Sequence, residues 1–569
     1  MMEQKQFTFP KMEYVRPDFE KISKEAKCLT SKVNGAKSYE EVKSCLMEME
    51  ELTKHMGTAI TIVSIRHTLN TRDTFYEKED AYLKGKLPEV TPSLLALKES
   101  FLNSSFRTEL EKEFGSQMFV SMELDKKIFC EENIPLMQKE ALLTSEYEKI
   151  MATAEIPFMG EKRNLYGLQK FFEHEDRQVR SLAYKEYSAF YHGHEERLEE
   201  IWEELITIRT KMAKNLGYEN FIPVGYMQQG RTDYGQKEVE EFRRQVREYA
   251  VPLCAKLYEK QRKRLGVDTL MAYDEKRVFP DGNAVPAGDE DFMISQAQKM
   301  YHDISPETGE FVDFMIEHEL MDLKNKPGKA STGYMTILSD YQAPFVFACL
   351  NHTIFDMQVL THELGHAFAG YMAMREQPLS DYYFSATDIA EIHSMGMEQF
   401  AYKYAEMFFG EQADKYRFAH LQDALSLVPF GTAVDEFQHI CYENPKLTPK
   451  ERTLEWKKLE KIYMPWRKYD ADDFFDRGGY WYHKLHIFLY PFYYINYILT
   501  TMGAMELAAK NGIDHDKTWA DYLKLCKCGG SMSYLETLKH AGLSVPFENG
   551  SVKRAVDYIE GVLLGGKED

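Results

Sequence analysis

The chain has 569 residues, 44% hydrophobic and 13% aromatic, more core material than one small domain uses and far too much for a disordered or fibrous chain. Its 91 Asp and Glu against 70 Lys and Arg leave a net charge of −21, which repels phosphate backbones and anionic lipid, so nucleic acid and membrane surfaces are excluded as partners. The eight cysteines, at 28, 45, 130, 254, 349, 441, 526 and 528, lack the spacing of a disulfide framework, and neither a signal-like start nor a spanning apolar run is visible; a reducing cytoplasm is the expected setting.

Along the first 325 residues the pattern is that of long amphipathic helices, as in Tyr39 to Gly57, Glu146 to Ala154 and Arg197 to Leu216, rich in Glu, Lys, Leu and Met. Clusters of Pro, Gly, Asp and Asn predict turns at Lys86 to Pro92, Ile156 to Asn164, Gly217 to Gly235 and Phe279 to Gly288. No flexible linker and no fixed repeat is present. After Lys324 the texture changes to Gly and Pro with short β-branched and aromatic runs, predicting two strands near Tyr334 to Leu338 and Phe345 to Leu350. Helical periodicity returns from Met357 onward.

Directly behind those strands stands Thr361-His362-Glu363-Leu364-Gly365-His366, an H-E-x-x-H motif. On a helix the two imidazoles at i and i+4 share a face, which suits zinc, and Glu363 lies where a general base is needed without itself ligating. A chance match in a chain this long is on the order of a few per cent, so the motif needs company. A catalytic zinc usually has three protein ligands and an open position. The metzincin third histidine would fall at Met372 and the associated glycine at Ala369, so that branch is excluded.

A carboxylate becomes the expected third ligand. Glu391 and Glu398 are seven residues apart on a helical, largely apolar stretch with Ile389, Ala390, Ile392, Met395, Met397 and Phe400, surroundings that do not suit two solvated surface carboxylates. Glu391 is read as ligand and Glu398 as the acceptor that orients a ligand imidazole. His393 would point to another side of the same helix and is read as a core or cleft-wall histidine. Asp356 is either a helix cap or a further support for a ligand histidine. The Cys526-Lys-Cys528 pair lacks structural-zinc spacing and is read as ordinary thiols.

Further on, Gly478 to Tyr497 carries His483, His486, Tyr490, Tyr493, Tyr494 and Tyr497. If Pro491 starts a helix, Tyr493 and Tyr497 share a face that Tyr494 flanks. Phenol and imidazole donors suit a developing oxyanion; a tyrosine stripe serving only as core is the alternative.

Taken together, PFVFACLNHTIFDMQVLTHELGHAF, the Glu391 segment 25 residues after His366, HIFLYPFYYINY and GYENFIPVGYMQQGRTDYG resemble the thimet oligopeptidase and oligoendopeptidase F group of zinc peptidases, the oligoendopeptidase F branch fitting better. The resemblance spans roughly residues 200 to 560. It implies a mainly α fold, a large helical ellipsoid with a deep substrate channel and a small β-sheet beside the HExxH helix. Residues 1–200 would form a channel wall and 201–569 the catalytic region. By the same resemblance His362, His366 and Glu391 hold one Zn2+, Glu363 is the base, and His486 and Tyr497 flank the scissile carbonyl, with Tyr493 and Tyr494 left as alternatives. Short unstructured peptides are the implied substrates, handled by a monomer or small homo-oligomer. An exopeptidase with a charge anchor for the substrate terminus, or a catalytically silent peptide-binding protein, are the rival readings.

Overall fold

The computed structural model describes residues 7–565 apart from 327, 331 and 472. The fold is mainly α with small sheets. By their contacts the residues group into two compact units, each assembled from three separated stretches: Met1–Lys127, Val285–Glu411 and Lys510–Leu543 in the first, and Ile128–Ala284, Gln412–Ala509 and Ser544–Asp569 in the second.

In the first unit, helices Phe19–Gly35, Tyr39–Leu69 and Thr74–Leu102 pack through Phe19, Ile22, Val63, Leu83 and Val90 and through a second cluster that includes Ala26, Leu29, Leu46 and Phe101. The turn expected at Lys86 to Pro92 does not occur: Thr74–Leu102 runs straight through with Pro88 and Pro92 inside it. Each proline removes one backbone donor, but Leu83, Val90 and Leu97 stay buried on one side, so burial along the helix outweighs the local breaking tendency.

A three-stranded sheet follows in the same unit. Ala343–Leu350 is its central strand, antiparallel to Tyr334–Leu338 and parallel to Met321–Lys324. The last strand was not anticipated, because four residues ending in a lysine carry no alternation of their own and are strand only through pairing with a neighbour distant in sequence. From the central strand the chain enters the HExxH helix, Phe355–Glu376, and then the Glu391 helix, Thr387–Ala401.

The second unit has an aromatic core, with Trp202, Trp456 and Trp481 fully buried. Trp481 lies over Phe488 at 5.6 Å between centroids and tilted against Trp202 at 6.0 Å. It also holds an unanticipated two-stranded hairpin, Ile156–Phe158 with Glu161–Arg163, where a turn alone was expected. Among the described residues no helix is long and apolar enough to cross a membrane.

Candidate metal centre

The central strand delivers the chain to the HExxH helix through Asn351 to Ile354, and Asp356 fastens that junction. Its carboxylate accepts from the backbone N–H of Asn351 at 3.0 Å and of His352 at 2.7 Å, the latter at φ +59°. Asp356 is neither the N-cap, a position Ile354 holds, nor seen bonding a ligand imidazole; from the first turn of the helix it holds the preceding loop.

Six residues on, His362 and, a turn later, His366 project from one side of the helix, their ring centroids 4.9 Å apart and nearly perpendicular. Glu391 reaches them from the other helix: its Oε2 lies 3.1 Å from His362 Nε2 and 3.4 Å from His366 Nε2. A tetrahedral zinc with bonds of about 2.0–2.1 Å has ligand-to-ligand edges of about 3.3–3.4 Å. The donor set and its spacing therefore fit such an ion, and His362, His366 and Glu391 are the one group of three or more His, Cys, Asp or Glu positioned for it among the described residues.

Around this triangle the charges are matched. Glu398 Oε1 accepts from His362 Nδ1–H at 2.7 Å, which orients the ring so that Nε2 lies on the side of Glu391. Burial works against the charged form of His362, yet its bonds to Glu391 and Glu398 hold the imidazole pKa well above the ordinary value. Burial likewise pushes Glu391 up, but the two imidazoles outweigh it and keep the carboxyl well below the usual range. The pocket is built to face a cation.

Glu363 occupies a different environment. Its carboxylate is buried, Oε2 has no hydrogen-bond partner among the described residues, and burial raises its pKa against the pull of His362 and His366. Gly333, just before the Tyr334–Leu338 strand, passes so close that a Cβ there would sit 3.3 Å from Glu363 Oε1. His393 is a core histidine: 3% exposed, donating Nε2–H to the Leu525 carbonyl at 3.2 Å, and lowered to about 4 by burial.

Two glycine features bring the helices to this distance, and neither was singled out from sequence. Gly365 lies inside the motif where the helices touch: a Cβ there would be 2.8 Å from Ser394 Cα, 2.9 Å from the His393 carbonyl oxygen and 2.9 Å from Met397 Cβ. The loop between the helices is seated on Gly529 and Gly530, where added Cβ atoms would fall 2.0 Å from the Tyr382 carbonyl oxygen and 2.2 Å from that of Phe384. A glycine inside H-E-x-x-H, at a position that faces neither ligand, was the available signal for the first. Cys526 and Cys528, in the helix His515–Cys528 that leads to this seat, are buried thiols; burial raises both, Cys528 to about 11.

In the second unit the tyrosine segment departs from its expected form. The helix begins at Ile495, not at Pro491, because Phe492 adopts φ +60°. Its ring is fully buried, its N–H donates to Gln438 Oε1 at 2.9 Å, and its carbonyl accepts from Arg231. Gly225, in the Gly217 to Gly235 segment, makes room: a Cβ there would lie 2.5 Å from the Phe492 ring. The turn still gathers the expected side chains. His486 lies 5.8 Å from Tyr493, 4.9 Å from Tyr494 and 6.1 Å from Tyr497 between centroids. His486, Tyr493 and Tyr497 are partly exposed, whereas Tyr494 is buried at 6% exposure.

Residues 171–555 match the model of Peptidase family M3, and residues 9–129 match that of the Peptidase M3 N-terminal domain. This chain belongs to peptidase family M3. It is a metallo-oligopeptidase by kinship. An oligoendopeptidase F homolog from Borreliella burgdorferi is 24% identical over 458 residues, 74% of each chain. Among solved structures, PZ peptidase A with an inhibitor is 42% identical at TM-score 0.93, covering 98% of this chain and 99% of that one. A Bacillus anthracis protein assigned as an oligoendopeptidase F is 37% identical at TM-score 0.89, with 99% of each chain covered. The likeness thus runs through the N-terminal 200 residues as well as the region from which it was first read.

Proposed function

We propose that this family M3 peptidase is a zinc-dependent endopeptidase of short unstructured oligopeptides, with His362, His366 and Glu391 holding the metal and Glu363 as general base. One observation carries the reading: two imidazole nitrogens and a carboxylate oxygen converge at distances that suit a zinc tetrahedron, and the buried Glu363 beside His362 has an Oε2 with no hydrogen-bond partner among the described residues. When bound there, zinc would acidify a water and polarise the substrate carbonyl.

The chain's own residues supply the rest. Glu363 takes the proton from water as the water oxygen attacks the carbonyl carbon. It then gives that proton to the leaving nitrogen as the C–N bond breaks, and the raised pKa that burial confers suits both transfers. Glu398 keeps the His362 lone pair aimed at the metal position. His486 and Tyr497 are assigned as donors to the oxyanion on the likeness of their segment to the family's; the removal of such a donor typically costs on the order of a hundredfold in turnover. Short peptides as substrates follow from the names of the oligoendopeptidase relatives. A cytoplasmic setting, drawn from the cysteine spacing, belongs to the same reading.

The test is elemental analysis of the purified protein together with hydrolysis of an internally quenched oligopeptide, wild type against Glu363→Gln. One zinc in each with turnover only in the wild type is expected. A wild type without zinc, or a variant that cleaves as fast, overturns the assignment.

A further inference from the structure

The carboxylate of the metal triangle is gripped by a hydroxyl on its own helix. Ser394 lies three residues after Glu391 in Thr387–Ala401, so the two side chains stand on one face. Ser394 is fully buried, and its Oγ is 3.1 Å from the Glu391 backbone carbonyl oxygen and 3.1 Å from Glu391 Oε2. That Oε2 is the oxygen lying 3.1 and 3.4 Å from the two imidazole Nε2 atoms. The serine thus has one proton for two acceptors.

A hydroxyl inside a helix ordinarily bonds a carbonyl three or four residues back. Thr361, next to His362, does only that, with the Met357 and Gln358 carbonyls as acceptors. Ser394 differs because its second acceptor carries charge, and a hydrogen bond to a carboxylate is about twice as strong as one between neutral groups. The proton therefore goes to Oε2. A carboxylate turns easily about its last torsion, which would present either oxygen, or both, to the imidazoles. The Ser394 bond removes that freedom: it occupies one lone pair of Oε2 and leaves another for the side where His362 and His366 stand.

The hydroxyl is itself held in place. Tyr522 donates its O–H to the His393 carbonyl at 2.7 Å, and His393 Nε2–H donates to the Leu525 carbonyl at 3.2 Å. The backbone immediately before Ser394 is thereby tied to the helix His515–Cys528. Gly365 brings the HExxH helix against Ser394 Cα, where an added Cβ would be 2.8 Å away.

We propose that Ser394 is a positioning residue for the metal: it fixes which oxygen of Glu391 ligates and in what direction, as Glu398 orients the His362 ring. The proposal deepens the zinc reading above and rests on it.

The test compares full-length wild type with Ser394→Ala, each stripped of metal by a chelator and titrated with Zn2+ against a chelating dye, with thermal melts of the metal-free proteins alongside. Alanine removes a single heavy atom and suits a helix better than serine. One hydrogen bond moves the melting temperature of a chain this size by no more than about 2 °C. The expected result is a zinc affinity about tenfold lower and a metal-free melting temperature within about 2 °C of wild type. A loss of affinity under about threefold overturns the proposal. A larger loss that comes with a metal-free melting temperature lowered by more than about 2 °C overturns it as well, because the hydroxyl then serves packing. A wild type that takes up no zinc brings down the metal reading and this proposal together, whereas a wild type and a variant that bind zinc equally remove only the role of Ser394.

Discussion

Replacing Gly365 by alanine tests whether backbone approach of two helices sets the metal geometry. The new Cβ would meet Ser394 Cα at 2.8 Å and the His393 carbonyl oxygen at 2.9 Å, where carbon contacts ordinarily settle near 3.5–4.0 Å, so the helices must part by about 0.7 Å. Both imidazoles ride on one helix and Glu391 on the other, now 3.1 and 3.4 Å apart across the gap. Parting them carries the carboxylate toward about 4 Å, beyond the edge of about 3.4 Å that a zinc tetrahedron allows. Alanine also gains about 1 kcal/mol of helix propensity over glycine, against about 1–3 kcal/mol for overpacking. The expected result is a metal-free protein with modestly lowered Tm and a zinc affinity down at least tenfold, read by competition with a chelating dye and by thermal melts. An alanine variant that binds zinc as tightly as wild type and melts higher refutes the reasoning, since propensity alone would then decide.

Other outcomes follow from the same geometry. Glu398→Gln keeps the shape beside His362 but not the charge, and should weaken zinc binding roughly 10–100-fold; unchanged affinity in the dye competition would remove Glu398 from the site. Lys484, brought down by burial to about 7 when folded against about 10.4 in an unfolded chain, binds fewer protons folded than unfolded between those values, so wild-type stability rises with pH across that window. Lys484→Met should therefore melt above wild type near pH 7, with the difference narrowing toward pH 10; a difference independent of pH would contradict the lowered pKa of this amine. Asp274 is fully buried and accepts from Arg177 at 2.8 Å and Arg180 at 2.9 Å. Asp274→Ala leaves the buried Arg180 without its carboxylate and should cost about 3–5 kcal/mol in urea unfolding; a loss under about 1 kcal/mol would refute the pairing.

Much of the candidate site was legible in the chain because its chemistry repeats at helical intervals. His362 and His366 share a face by the period of the helix alone, and Glu391 and Glu398 stand out as carboxylates among apolar neighbours, which water would not leave unanswered. The helical character and the Tyr334–Leu338 strand were likewise written in local periodicity. What the tertiary structure decided is everything that depends on a partner far along the chain: the Thr74–Leu102 helix continuing through two prolines, Met321–Lys324 becoming a strand, and Phe492 breaking the helix expected at Pro491 because Gly225 leaves room for its ring. Asp356 turned from a possible ligand support into a loop clamp for the same reason, its acceptors being claimed by Asn351 and His352. Gly365 carries both lessons. Its place within the motif was plain to read, but the absence of a side chain acquires meaning only when a second helix lies within 3 Å of where that side chain would be, and periodicity within one helix holds no record of how near its neighbour comes.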